Sequence, residues 1–266
     1  MDFSPYAAVL LDLDGTLYRE EDALTGAVNL VNRLRSAGQT FACLSNSTLS
    51  PAQLVERLNR MGMDIPPDRI YTAALAAADY VIEEFPPPAQ PRIFNLGGDG
   101  IADLLDGRVT WVETATDPCD AVIVGVPANP YATLDRQRIG LSLLRTGAKL
   151  VGICADRVYP SPQGIEFGAG ALTAMFAYAA DIKPVFCGKP EPIFFNELCH
   201  RLGVPPNRCV LIGDNLESDI AGGKAMGMAT ILILSGVTRR QDLDGLPAEK
   251  MPDRVIEDLT QINDEL

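Results

Sequence analysis

The chain is short of basic residues, histidine, tryptophan and aromatic side chains, and most of these shortages close off a class of protein. Its 22 Lys and Arg stand against 35 Asp and Glu, a net charge of −13, whereas nucleic acids are gripped through clustered basic residues. A nucleic-acid partner is not expected. Apolar runs such as 7–11 and 229–234 are strand-length, far short of the roughly 20 residues a membrane span requires. The first residues, Met1-Asp2, offer no basic segment ahead of an apolar stretch. A secretory signal is therefore unsupported and a cytoplasmic location is the expectation.

The six cysteines (Cys43, Cys119, Cys154, Cys187, Cys199, Cys209) form no C-x-x-C pair and have no histidine partners at zinc-site spacing. Buried free thiols are expected. The one histidine, His200, falls inside a helix-period segment away from any strand end and receives no catalytic role. Trp111, Met61 and Met63 read as packing residues.

What is present is a globular composition, 47% hydrophobic and 21% charged over 266 residues. That length exceeds the usual single domain and predicts either one large domain or a core with a smaller insertion. Apolar runs at 7–13, 40–44, 92–96, 121–126, 149–153, 184–187, 209–212 and 229–234 alternate with helix-period segments. Those segments lie at 26–37, 50–61, 73–85, 135–146, 170–180, 192–202 and 218–226, several ending in glycine. This is the βαβ pattern. Near-continuous hydrophobic strands fit a parallel sheet covered on both faces, so the prediction is α/β, with a doubly wound, Rossmann-like core. Proline-rich points at 85–91 and 181–184 bracket a segment with its own alternation. Residues 1–85 and 182–266 thus form the expected core, and 86–181 an inserted α/β domain.

Four chemistry-bearing segments follow predicted strands. Asp12-Leu13-Asp14-Gly15-Thr16 puts two acids on either side of one residue before a glycine turn, an arrangement able to meet a hard divalent cation. Gly213-Asp214-Asn215 leads on to Ser218 and Asp219 in the expected first turn of a helix, where the backbone dipole also favours a carboxylate. Lys189 could bind phosphoryl oxygens or hold a carboxylate charged. Ser45-Asn46 offers a hydroxyl and backbone N–H groups at a strand-to-helix turn. Each alone is ordinary: an acidic strand end, a helix cap, a surface lysine, a turn. Together they sit at carboxyl ends of parallel strands, where one crevice can collect them.

These residues resemble the four motifs of the haloacid dehalogenase superfamily of phosphohydrolases, matched by Asp12 to Thr16, Ser45-Asn46, Lys189, and Gly213-Asp214 through Asp219. About 30 residues separate the first two motifs and roughly 140 separate Asn46 from Lys189, so the insertion is a cap in the second position. With Asn95-Leu96-Gly97-Gly98, Gly168-Ala169-Gly170 and Gly188-Lys189-Pro190, the chain is similar to the NagD and 4-nitrophenylphosphatase branch. It departs from that branch in having Ser45-Asn46-Ser47 for Thr-Asn-Asn and Cys154-Ala155-Asp156 for Asn-Pro-Asp.

The resemblance implies Mg²⁺-dependent hydrolysis of small phosphorylated metabolites through an aspartyl-phosphate. In that pattern Asp12 is the nucleophile and Asp14 the acid and base. The metal ligands are Asp12, Asp214 and the Asp14 carbonyl, with Asp219 binding directly or by ordering the site. Ser45, the Asn46 backbone and Lys189 would hold the phosphoryl group, while the cap closes over the leaving group. Asp156, Arg157, Tyr159 and Glu166 are the specificity candidates there. A phosphomutase using the same intermediate and a catalytically silent binding homologue are the alternatives, and a homodimer stays open.

Overall fold

A computed structural model describes residues 2–161 and 164–263 of the chain. Its strands begin with β1 (Ala8–Asp12), β2 (Tyr18–Arg19), β3 (Asp22–Ala23), β4 (Phe41–Ser45) and β5 (Ile70–Thr72). They continue with β6 (Arg92–Leu96), β7 (Thr110–Trp111), β8 (Ala121–Val124), β9 (Lys149–Gly152), β10 (Val158–Ser161), β11 (Gly164–Phe167) and β12 (Val185–Phe186). The last three are β13 (Cys209–Gly213), β14 (Ala229–Ile233) and β15 (Arg254–Ile256). The helices are α1 (Ala27–Ser36), α2 (Pro51–Arg60), α3 (Ala73–Glu84), α4 (Asp99–Leu105), α5 (Leu134–Arg145), α6 (Ala169–Ala180), α7 (Pro192–Leu202), α8 (Ala221–Ala225) and α9 (Thr260–Asn263).

The chain divides into two compact units: Met1–Ser45 with Pro51–Tyr71 and Lys189–Leu266, and Asn46–Ser50 with Thr72–Gly188. In the first, six strands run in the order β15-β14-β13-β1-β4-β5. β1 is fully buried and lies parallel to both β13 and β4, with Val9 beside Val210 on one side and Phe41 on the other. Its Ala-Val-Leu-Leu-Asp sequence shows no alternation because both faces are covered. α1 buries Ala27, Leu30, Val31 and Leu34, the i, i+3, i+4, i+7 stripe of a helix with one apolar face. α7 buries Phe194, Phe195, Leu198 and Cys199 and ends at Gly203, whose φ of 66° lets the chain reverse.

The second unit holds a smaller parallel sheet, β12-β9-β8-β6-β7. Its core joins Phe94, Leu96, Val122 and Val124 of the sheet to Leu143 and Leu144 of α5 and Leu172 and Phe176 of α6. Both units are therefore parallel α/β layers, one six-stranded and one five-stranded. Among the described residues, no helix is long and apolar enough to cross a membrane. All six cysteines are free thiols; five are buried and Cys119 is half-buried.

Several elements carry no sequence signal. β5, β7 and β15 are two or three residues long, too short for a period to register. Val158–Ser161 and Gly164–Phe167 pair antiparallel as β10 and β11, with the apolar Val158, Ile165 and Phe167 exposed. Each of these strands is only four residues long, and Pro160 and Gly164 read as turn residues, so neither registers as a strand in the sequence. α4, seven residues long, is likewise too short to register a helical period.

Leu10 is completely buried at the centre of the six-stranded sheet. Leu10→Ala is expected to cost about 2–5 kcal/mol, read as a lowered urea midpoint by circular dichroism. Unfolding at the wild-type midpoint would contradict the placement of this strand at the core.

Candidate active site

β1 ends at Asp12, and the chain then folds into one tight turn in which the Leu13 carbonyl accepts from the N–H groups of Thr16, Leu17 and Tyr18. Gly15 makes this possible: its φ is 80°, and a Cβ there would stand 2.5 Å from the Asp214 Oδ2. The Thr16 hydroxyl donates to Asp12 Oδ2 at 3.2 Å. On the neighbouring strand, β13 ends at Gly213, directly followed by Asp214.

The sequence predicts a helix over 218–226, with Ser218 and Asp219 in its first turn. Instead, residues Leu216–Ile220 form a widened π-type turn, and the cap is Asn215, whose Oδ1 accepts from the N–H groups of Glu217 and Ser218. A π turn of this kind re-aims side chains and is frequent at functional sites. Here it turns Asp219 inward, 1% exposed, where its Oδ2 accepts from the Asn215 N–H at 3.1 Å.

Lys189 joins these pieces. Its ammonium is 3% exposed and donates to Asp12 Oδ1 at 2.5 Å and to Asp219 Oδ1 at 2.7 Å. Asp12, Asp214 and Asp219 are all buried, and each offers one carboxylate oxygen within 4.8 Å of the others. Against three carboxylates there is one ammonium, which leaves two negative charges in a buried site when all three are ionised. Oxygen donors and an excess charge of that sign fit a hard divalent cation.

The proton affinities reflect this crowding. Burial pushes the Asp12 carboxyl well above the usual carboxylate range; Lys189 opposes the shift while Asp219 and Asp214 add to it. Burial, with the charge of Asp219, takes Asp214 up to about 7. Burial disfavours the Lys189 ammonium, but Asp12 and Asp219 more than compensate and its affinity for the proton rises. Asp14 opens to solvent; protein packed against its inner side still raises it, opposed by Arg57 and Arg19.

The first unit thus gathers Asp12, Lys189, Asp214 and Asp219, with Asp14 one turn beyond Asp12. Ser45 is the buried last residue of β4, one step past Leu44, the partner of Asp12 in the sheet register. In the second unit Asn46 donates its side-chain amide to Asp156. Tyr159 and Glu166 face each other across the β10–β11 hairpin, where burial and then the Glu166 charge raise the tyrosine. Arg157 is exposed. His200 stands on the outer side of α7, 3.7 Å from Glu197.

Sequence reasoning missed the residues that hold Asp214. Its Oδ2 accepts the Val237 N–H at 2.5 Å, and any Cβ at Gly236 would lie 1.8 Å from that oxygen. Ser235-Gly236-Val237-Thr238 follows the end of β14, so its place at a strand's carboxyl end was the available signal. The Asn95-Leu96-Gly97-Gly98 run is a structural turn: Asn95 Oδ1 accepts from Gly97 and Gly98 while its amide donates to the Gly98 carbonyl.

A haloacid dehalogenase-like hydrolase model matches residues 9–108, the stretch that carries Asp12, Asp14, Ser45 and Asn46. A second, HAD-hydrolase-like model matches 186–262, with Lys189, Asp214 and Asp219. The acid sugar phosphatase of Staphylococcus epidermidis is 31% identical over 239 residues, 90% of each chain. The chain belongs to the haloacid dehalogenase superfamily. Within it, this member is of the NagD and 4-nitrophenylphosphatase kind, parallel core and cap included. The 4-nitrophenylphosphatase of Thermotoga maritima superposes with a TM-score of 0.87 at 27% identity, covering 98% of both chains. NagD from E. coli K-12 gives 0.84 at 25% identity, covering 96% of this chain and 98% of that one.

The raised Asp214 sets a pH dependence. An unfolded Asp titrates near 3.9, so between about 4 and about 7 the folded chain keeps a proton on Asp214 that the unfolded chain has lost. That contribution to stability is full below about 4 and is lost as pH rises through about 7. A divalent cation competes with the same proton and binds better once it has gone. Mg²⁺ is therefore expected to raise the melting temperature more at pH 8 than at pH 6. Equal increments at the two pH values would contradict a cation on Asp214.

Proposed function

We propose that this protein is a Mg²⁺-dependent phosphatase that hydrolyses small-molecule phosphate monoesters through an aspartyl-phosphate on Asp12. The observation that carries the reading is the buried group of Asp12, Asp214 and Asp219 around Lys189 at the carboxyl ends of parallel strands. Relatives named acid sugar phosphatase and 4-nitrophenylphosphatase support hydrolysis over return of the group to a bound intermediate. Free thiols support a cytoplasmic site of action.

The Asp12 carboxylate attacks phosphorus in line, and the ester P–O bond breaks. Asp14 gives its proton to the departing alkoxide; burial raises its proton affinity above that of a free carboxylate, the direction a general acid needs. Now ionised, Asp14 takes a proton from water, whose oxygen attacks the aspartyl-phosphate. Inorganic phosphate leaves and Asp12 is regenerated. Lys189, the Ser45 hydroxyl and the Asn46 backbone N–H hold the phosphoryl oxygens through this sequence. Mg²⁺ bound by Asp12, Asp214, Asp219 and the Asp14 carbonyl would neutralise charge on those oxygens. The inserted segment 86–181 serves as the cap that meets the leaving group.

With 4-nitrophenyl phosphate and Mg²⁺, the wild type is expected to release inorganic phosphate in step with nitrophenol. EDTA, or Asp12→Asn, is expected to cut that rate by about a thousandfold or more. Equal rates in all three samples, or isomer formation with no phosphate released, would overturn the reading.

A further inference from the structure

Gly168-Ala169-Gly170 has no part in phosphoryl chemistry, yet it decides where one carboxylate points. The Gly168 N–H donates to the Arg157 carbonyl and the Gly170 N–H to the Asp156 carbonyl, each at 2.9 Å. A Cβ on Gly168 would lie 2.1 Å from the Asp156 carbonyl oxygen, and one on Gly170 would lie 2.3 Å from that of Ala155. Residues without side chains are needed here because α6 begins in direct backbone contact with the 154–157 loop. Clamped in this way, the loop presents Asp156 to Asn46. The Asn46 Nδ2 stands 3.1 Å from Oδ1 and 3.0 Å from Oδ2 of Asp156. The Cys154 thiol donates to the same Oδ2 at 3.3 Å. On the other side, a Cβ at Gly188 would come within 2.7 Å of Asn46 Oδ1 and 2.8 Å of the Cys154 Cβ. Both ends of the Asn46 amide are therefore confined.

We infer that Asp156 is a positioning residue: it fixes the Asn46 side chain and, through the Ser45-Asn46 peptide, the donors that grip the phosphoryl group. This rests on the proposed phosphatase chemistry. It assigns Asp156 to the phosphoryl end of the substrate instead of the leaving group. At this close approach Cys154 supplies a thiol to the same carboxylate and Ala155 only backbone. A hydrogen bond to an ionised carboxylate is among the stronger side-chain contacts, so its loss has a measurable effect on the group it orients.

The test uses the full chain with Mg²⁺, measuring the inhibition constant of inorganic phosphate together with kcat and KM for 4-nitrophenyl phosphate and glycerol phosphate. Asp156→Ala is expected to weaken phosphate inhibition about tenfold and to raise KM for both esters by the same factor. Asn46→Ala should do likewise, and the double variant should be no worse than the poorer single one. Asp156→Asn, whose side-chain oxygen can still accept from Asn46, should lie between wild type and Asp156→Ala; it also serves if Asp156→Ala does not fold. Phosphate inhibition unmoved in both Asp156 variants, losses confined to one ester, or additive losses in the double variant would each overturn the inference. A wild type that turned over neither ester would instead remove the phosphatase reading beneath it.

Discussion

The Lys189 ammonium, buried between Asp12 and Asp219, is the contact on which the first unit's chemistry depends. A charge removed from water is held only by opposite charges in good geometry, and removing one partner strands the other. Lys189 meets that condition with bonds of 2.5 and 2.7 Å. Asp12 lies on β1, Lys189 just after β12, and Asp219 in the turn beyond β13, so one side chain fixes three separate stretches of sequence relative to each other. The surplus of negative charge it leaves unmatched fits the site to a hard divalent cation.

Space for these acids is made by residues without side chains. Gly15 and Gly236 both border the Asp214 carboxylate, and a Cβ on Gly213 would lie 2.4 Å from the Asp219 Cγ. The backbone approaches each carboxylate closely enough to donate N–H groups, as Val237 and Asn215 do. Rigid positioning of this sort suits phosphoryl transfer, where catalysis is chiefly placement and electrostatic stabilisation. Burial and the mutual repulsion of the buried acids also make Asp12 and Asp214 hold their protons more tightly than a free carboxylate.

Much of this was legible in the sequence because its physics is local. Buried parallel strands read as unbroken apolar runs, and acids immediately after them lie where such sheets place ligands; Asp12, Asp14 and Asp214 were found that way. Lys189 was legible for the same reason, although its two partners lie 177 and 30 residues away. What escaped depends on distant backbone. That Asn215 caps a π turn, and that Gly236 and Val237 hold Asp214, follows from loops meeting in space, which no local period records. The β10–β11 pair escaped because both strands are short and carry Pro160 and Gly164, and the bond between Asp156 and Asn46 escaped because the two lie 110 residues apart.

The claim on which everything else turns is that Asp12 is the nucleophile. Its most direct test is acid quenching of the enzyme during turnover of 4-nitrophenyl phosphate with Mg²⁺, followed by proteolysis and mass spectrometry of the Asp12 peptide. A phosphoryl group on that peptide, chased away on further incubation and never formed by Asp12→Asn, is the expected result. Full turnover with the Asp12 peptide always unmodified, or an Asp12→Asn variant of wild-type rate, would contradict it.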